Sequence, residues 1–271
     1  MNLKSKTLFA VIPVIILLLG FQPETVAQSP YKLNFERESA IFGVGTALTV
    51  VTLKLNDDIK PLTIPEIGLL NRNDINIFDR DATYKWSSES GTASDYLLAL
   101  SIISPGILSL SEKVRSEISP VITMYFEVLL ISAQLPFVAK GITQRIRPFA
   151  YNESVPVESK LSQNVKRSFY SGHTSVAFAM AVFLSTVYSD YYPDSDWKYA
   201  VWGASLLTAS VIGYLRYESG SHFPTDILTG AIVGSAIGYL IPFIHRSENE
   251  NLDFSFGLGR NNTSLNLRFN F

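Results

Sequence analysis

Six apolar stretches follow one another along the chain and are separated by polar segments. They lie near residues 40–53, 95–110, 118–139, 174–189, 199–215 and 227–244. Uninterrupted apolar runs of this length favour helices, because strands are usually shorter. The pattern therefore predicts an all-α fold, a helical bundle of about six apolar helices.

The same pattern leaves the surroundings of the bundle open. Several runs are shorter than the roughly 20 residues that cross a bilayer. The third run contains Glu127, which would face the bundle interior in a spanning helix or make a polar contact in a soluble core. Composition does not decide, because 47% hydrophobic residues is apolar for a soluble protein, whereas a mean hydropathy of +0.19 is modest for a membrane-buried one.

The sequence divides into four predicted regions, one of which is the bundle. Lys4 and Lys6 precede an apolar run and then small residues up to Ala27, which is typical of a secretory signal peptide over residues 1–27. An uncleaved membrane anchor is the alternative. Residues 28–94 then form an N-terminal helix and polar loop region, residues 95–246 the helical-bundle domain, and residues 247–271 a tail. Alternating apolar and polar residues in the tail predict a C-terminal β-hairpin.

Composition excludes some functions. The chain has no cysteine, which excludes disulfides and thiol catalysis. A net charge of -2 without a basic stripe gives no indication of nucleic-acid binding. No protein partner is predicted.

Three polar clusters, by contrast, bring together cations and imidazoles. They are Lys140 with Arg147, then Ser171-Gly172-His173, and then Arg216 with His222 and Asp226. Arginine and lysine supply fixed positive charge for phosphate oxygens. A neutral histidine can attack phosphorus or transfer a proton near pH 7. The clusters therefore indicate a phosphoryl-transfer site that needs no metal or other cofactor.

Local sequence suggests how two of the clusters are held. Pro224 favours a helix that starts near His222, so Asp226, four residues on, could accept a hydrogen bond from its ring. Ser171-Gly172-His173 precedes another apolar run, and a helix start favours an anion. Each cluster alone has simpler explanations, such as a structural hydrogen bond, a helix cap or charges at a membrane surface. A metal site is also conceivable, but three cations would repel a metal ion.

The order and spacing of the clusters resemble the signature of the type 2 phosphatidic acid phosphatase family, which includes vanadium haloperoxidases. Lys140 is followed after six residues by Arg147-Pro148, and Arg216 after five residues by His222 and then Asp226. The resemblance spans roughly residues 95–244. Tyr170 stands where the family usually has proline, and Leu215 where it usually has serine.

The resemblance implies a helical bundle with the active site at one end, and it implies roles for the clusters. His222 would be the nucleophile that forms a phospho-histidine, Asp226 would orient it, and His173 would be the general acid. The phosphate oxygens would be bound by Lys140, Arg147, Ser171, Gly172 and Arg216.

These roles predict a phosphatase acting on a phosphorylated lipid or a small phosphate ester. A soluble periplasmic acid phosphatase, a vanadium-dependent haloperoxidase and an inert protein with an inherited pocket are the alternatives. Five crossings, with residues 40–53 not crossing, would place the site of an exported membrane enzyme in the periplasm.

Overall fold

The computed structural model describes residues 29–247 and the strands at 252–258 and 263–269. Its described part contains six long helices, so the predicted all-α bundle is confirmed. They are α1 (Phe35–Asp57), α2 (Ser88–Ile103), α3 (Ile118–Thr143), α4 (Gly172–Tyr191), α5 (Trp197–Glu218) and α6 (Pro224–His245).

Local side chains determine where several of these helices begin. The Asn34 side chain accepts the N–H groups of Glu36 and Arg37 at the start of α1. Ser87 and Ser171 accept backbone N–H groups at the starts of α2 and α4. Such caps satisfy donors that have no partner within the helix.

Short helical turns fill the connections between the long helices. They are Ile64–Gly68, Arg72–Asp74, Ile77–Arg80, Asp81–Tyr84, Ser104–Leu110, Glu112–Arg115, Pro148–Tyr151, Val157–Lys160 and Gln163–Lys166. Residues 58–87, called the polar excursion, connect α1 to α2 and lie within the predicted N-terminal region 28–94. This excursion packs back onto the bundle, where the ring of Trp86 lies 5.5 Å from that of Phe149 in a tilted contact.

The six helices alternate in direction, which gives the bundle two distinct ends. At one end, called the site end, Leu55 of α1 lies beside Gly141 of α3. At the other, called the far end, Arg37 of α1 donates a hydrogen bond to the Ile244 carbonyl of α6 at 2.7 Å. Helices α1, α3 and α5 therefore run towards the site end, and α2, α4 and α6 start there.

Helix α4 forms the centre of the bundle, and α6 packs directly against its backbone. A Cβ on Gly234 or Gly238 of α6 would lie only 2.1 or 2.3 Å from the carbonyl oxygen of Ser175 or Ala179 in α4. A Cβ on Gly230 would lie 2.7 Å from the carbonyl oxygen of Ser171, which caps α4. No real side chain fits at those distances, so the three glycines allow the two helices to touch. Small residues at this spacing are a known means of close helix approach.

Within the described part of the chain, four helical segments are long and apolar enough to cross a membrane. They are Phe35–Asp57, Ser88–Leu110, Ile118–Tyr151 and Pro224–His245. The first contains the run at 40–53, which the sequence analysis treated as too short to cross. It is 23 residues long because Asn34 starts the helix well before the apolar run.

The length and direction of α1 change the topology argument. Helix α1 begins at the far end and ends at the site end, so residue 29 and the site lie at opposite ends of the bundle. If α1 crosses, a mature chain that begins outside would have its site inside. Cleavage after Ala27 and a periplasm-facing site are therefore compatible only if α1 does not cross.

In the C-terminal segment, β1 (Leu252–Leu258) and β2 (Thr263–Phe269) pair antiparallel, with Leu252 opposite Phe269. The predicted signal peptide, residues 1–27, lies outside the described residues.

Replacing Gly234 with alanine should destabilise the protein, because its Cβ would lie 2.1 Å from the Ser175 carbonyl oxygen. Overpacking of this kind costs about 1–3 kcal/mol. Gly203→Ala is the matched control, since a Cβ there meets nothing within 4 Å. Thermal unfolding in detergent should show a lower Tm for Gly234→Ala only. Equal Tm values for both variants would contradict the close packing of α4 and α6.

Single cysteines at exposed Asn73, at the site end, and Ser116, at the far end, should react with an impermeant maleimide from opposite sides of the membrane. The absence of native cysteine makes such labelling specific. Labelling of both positions from the same side would show that the bundle does not span. The side on which Asn73→Cys reacts gives the orientation of the site.

Candidate active site

The predicted site residues meet at the site end of the bundle. Lys140 lies in the last turn of α3, and Gly172 and His173 begin α4. Arg216 lies in the last turn of α5, and Asp226 in the first turn of α6. His222 occupies the turn between those two helices, and Arg147 follows α3. Four helix ends therefore converge on one place.

His222 is buried among positive charges. Its side chain is only 1% exposed. Burial, followed by the charges of Arg147 and Lys140, holds the pKa of His222 well below its usual value of 6.5. The charge of Arg216 acts in the same direction. The imidazole is therefore neutral at pH 7, the form that a nucleophile requires.

The three cations around His222 are themselves buried and have little opposite charge nearby. Among the described residues, no carboxylate lies within 4 Å of Lys140 or Arg147, and Arg216 has only Asp95 at 3.5 Å. Arg147 donates instead to the Asn164 amide oxygen at 3.0 Å. Buried charges without counter-charges are costly. An anion between these side chains would remove that cost.

Asp226 lies close to His222 without a direct hydrogen bond. Its Oδ2 is 3.6 Å from His222 Nδ1, which is too long for one. That oxygen accepts the Ser168 hydroxyl at 2.5 Å and the Phe223 N–H at 2.9 Å. Helix α6 begins only at Pro224, so His222 lies before the helix, and the expected contact between residues four apart is looser than predicted.

Arg145 and Asp79 form a second layer behind Asp226. Arg145 donates to Asp226 Oδ1 at 2.5 Å and to Asp79 Oδ2 at 2.8 Å. Asp79, in the polar excursion, also accepts the backbone N–H of Thr225 at 3.0 Å. The sequence analysis selected neither Arg145 nor Asp79 for the site. These contacts fix the carboxylate beside His222 to two separate segments of the chain.

His173 is paired with Asp95, another residue that the sequence analysis did not select. His173 Nε2 lies 2.7 Å from Asp95 Oδ1, and the Asp95 side chain is 64% exposed. Burial, and then the charge of Arg216, lower the pKa of His173 to about 4 against the opposing effect of Asp95. A bound anion would oppose Arg216 and favour protonation.

Ser171 and Gly172 form the start of α4. The Ser171 hydroxyl is hydrogen-bonded to Thr174 Oγ1 at 2.8 Å and accepts the Thr174 N–H, so it acts as a cap. The Ser171 N–H donates to the Asp226 carbonyl at 3.1 Å, which joins the starts of α4 and α6. A Cβ on Gly172 would lie 3.5 Å from Lys140 Nζ, so the helix start is close to that cation.

A cavity of about 350 Å³ opens beside Arg147 and Arg216. Its lining combines two guanidinium groups, aromatic rings and many hydroxyls. These residues are Trp86, Ser87, Ser88, Gly91, Arg147, Phe149, Ser159, Ser162, Asn164, Arg216, Ser219 and Ser221. The arrangement can bind an anion with a polar substituent.

Comparison with known sequences gives matches in the same region. The sequence model of the PAP2 superfamily matches residues 122–250. A probable diacylglycerol pyrophosphate phosphatase 1 of Schizosaccharomyces pombe is 40% identical over 93 residues, 32% of this chain and 33% of the relative. A lipid A 4'-phosphatase of Porphyromonas gingivalis is 34% identical over 76 residues, 28% of this chain and 29% of the relative. The chain thus spans about a third of each relative.

Among solved structures, the crystal structure of Aquifex aeolicus LpxE is 23% identical, with a TM-score of 0.41. The match covers 62% of this chain and 98% of that one. The family match itself includes every site residue predicted from the sequence, from Lys140 to Asp226. Residues 122–250 therefore match the PAP2 superfamily, and this match contains the predicted candidate site.

Proposed function

We propose that the protein is a metal-independent phosphatase that hydrolyses lipid-linked phosphate monoesters or diphosphates through a phospho-histidine. The observation that carries this proposal is the buried, neutral imidazole of His222 among three buried cations. Phosphoryl transfer requires mainly positioning and positive charge against the equatorial oxygens. Lys140, Arg147 and Arg216 supply that charge without a metal.

In the proposed reaction, His222 attacks phosphorus, the bond to the leaving oxygen breaks, and His173 gives that oxygen a proton. Water, deprotonated by His173, then releases phosphate from His222. Asp226 stabilises the charge that develops on the His222 ring at 3.6 Å, while Arg145 and Ser168 keep this carboxylate in place. Asp95 favours the protonated form of His173 once the substrate phosphate partly offsets the charge of Arg216.

Two observations support a lipid-linked substrate. The names of the two relatives specify diacylglycerol pyrophosphate and lipid A as their substrates. Helix α6, which starts at the site, also has exposed apolar side chains along its length. They are Leu228, Ile232, Tyr239 and Leu240. Exposed apolar surface of this kind favours contact with a membrane, where a lipid substrate would lie.

We also propose that the site faces the periplasm. Because the helices alternate in direction, residues 29–34 would then lie on the cytoplasmic side if α1 crosses. The labelling of Asn73→Cys and Ser116→Cys tests this orientation directly.

Phosphate release in detergent and EDTA should require His222 and should be faster with phosphatidate or a polyprenyl diphosphate than with nitrophenyl phosphate. His222→Ala should lower the rate by at least about 10³-fold, because it removes the nucleophile. Ser210→Ala, at an exposed position of α5, is the control. A preference for the soluble ester would favour a general acid phosphatase. No release, together with halide oxidation in vanadate, would replace the proposal with a haloperoxidase.

His173→Ala should affect substrates unequally. Nitrophenolate leaves without protonation, so phosphorylation by nitrophenyl phosphate should be nearly preserved, whereas lipid phosphates should react much more slowly. Hydrolysis of the intermediate should also slow, so phosphate should accumulate on His222. Mass spectrometry of the quenched variant would detect the phospho-histidine. Equal losses with both substrate classes, and no phosphate on His222, would show that His173 is not the general acid.

A further inference from the structure

At the far end of the bundle, Glu38 of α1, Glu127 of α3 and His245 of α6 form a cluster that the phosphatase reaction does not use. We propose that this far-end cluster binds one Zn²⁺ ion. All three side chains are buried, and one ligand atom from each lies within 4.8 Å of the other two. The three ligands come from three different helices, so the ion would join helices that are distant in sequence.

The orientation of His245 supports a cation in this place. Its Nδ1 lies 2.7 Å from the Ile241 carbonyl oxygen, so Nδ1 must donate a proton there. In the neutral ring, Nε2 then has a lone pair, as a metal ligand requires. That lone pair faces Glu38 Oε2 at 3.2 Å and Glu127 Oε2 at 3.3 Å. Three electron-rich atoms this close together need a positive charge among them, either a proton or a metal ion.

The distances and the missing hydrogen-bond partners fit a metal ion. Among the described residues, His245 Nε2 and both carboxylate oxygens of Glu127 have no hydrogen-bond partner of acceptable geometry. A proton on Nε2 would therefore not point well at either carboxylate. Zinc bound tetrahedrally at about 2.0–2.1 Å places its ligand atoms about 3.3–3.4 Å apart. The observed separations of 3.2 and 3.3 Å match that spacing.

Neighbouring residues hold Glu38 in place by hydrogen bonds, whereas no described residue donates a hydrogen bond to the Glu127 carboxylate. Arg37 donates from Nε to Glu38 Oε2 at 3.0 Å and from Nη2 to Oε1 at 2.8 Å. The Asn34 N–H also donates to Oε1 at 2.7 Å. The charge of Arg37 is offset by the Glu38 carboxylate, so the charge of Glu127 remains available to the metal. Such outer contacts orient ligands in known metal sites.

The proposed ion would have a structural effect. It would tie the first turn of α1 to the last residue of α6 and to the middle of α3. Its role is independent of the phosphate site, which lies at the other end and is lined by cations.

The first test measures zinc bound to the purified full chain, prepared with a tag that contains no histidine. The protein is stripped with chelator, incubated with ZnCl₂, desalted and analysed by mass spectrometry for metals. The wild type should retain one zinc per chain, and the isosteric variant Glu127→Gln should retain much less. The double variant His173→Ala/His222→Ala is the matched control. It removes the other two of the three histidines, and the chain has no cysteine. Because the far-end cluster is intact in this variant, it should still bind zinc.

The second test measures stability. Zinc should raise the Tm of the stripped wild type and leave that of Glu127→Gln unchanged, because only a ligand that binds the folded state stabilises it. If Glu127→Gln does not fold, the visible spectrum of Co²⁺ in the stripped wild type decides, since tetrahedral Co²⁺ absorbs strongly. A wild type that binds no metal, or zinc that is lost only in the double histidine variant, would overturn the proposal. None of these results depends on phosphatase activity.

Discussion

The direct contact between α4 and α6 determines the geometry of the site. Three glycines of α6 let its backbone touch the carbonyl groups of α4. The start of α4 provides His173, and the start of α6 provides Asp226 with His222 just before it. The hydrogen bond from the Ser171 N–H to the Asp226 carbonyl joins these two starts. Other elements add their charges around this pair, as Lys140 from α3 and Arg216 from α5 show.

Much of this arrangement could be predicted from the sequence because its signals are local. Apolar runs of helical length identified the six helices, and α6 ends at His245, directly after the apolar run at 227–244. Pro224 correctly indicated a helix start near His222. The spacing of the clusters also identified the family. Each of these predictions depends on residues that are close together in the sequence.

Other features depend on contacts between distant segments, and the sequence analysis missed them. Asp79 reaches Thr225 across 146 positions, and Asp95 reaches His173 across 78. An isolated aspartate in a polar loop or within a helix carries no signal of such a partner. The length of α1 was underestimated because the helix continues through polar residues at both ends of its apolar run. The loose contact between His222 and Asp226 depends on the backbone before Pro224, which spacing alone does not define.

The ion pairs of Arg145 have a consequence for what counts as the functional unit. Arg145 lies within the region that matches the family, but its partner Asp79 lies outside it, as does Asp95 beside His173. A fragment of residues 122–250 would contain every motif residue. It would lack both Asp79, whose carboxylate contacts Arg145 behind Asp226, and Asp95, whose carboxylate faces His173. The site that the structure forms therefore extends beyond the region by which the family resemblance is recognised.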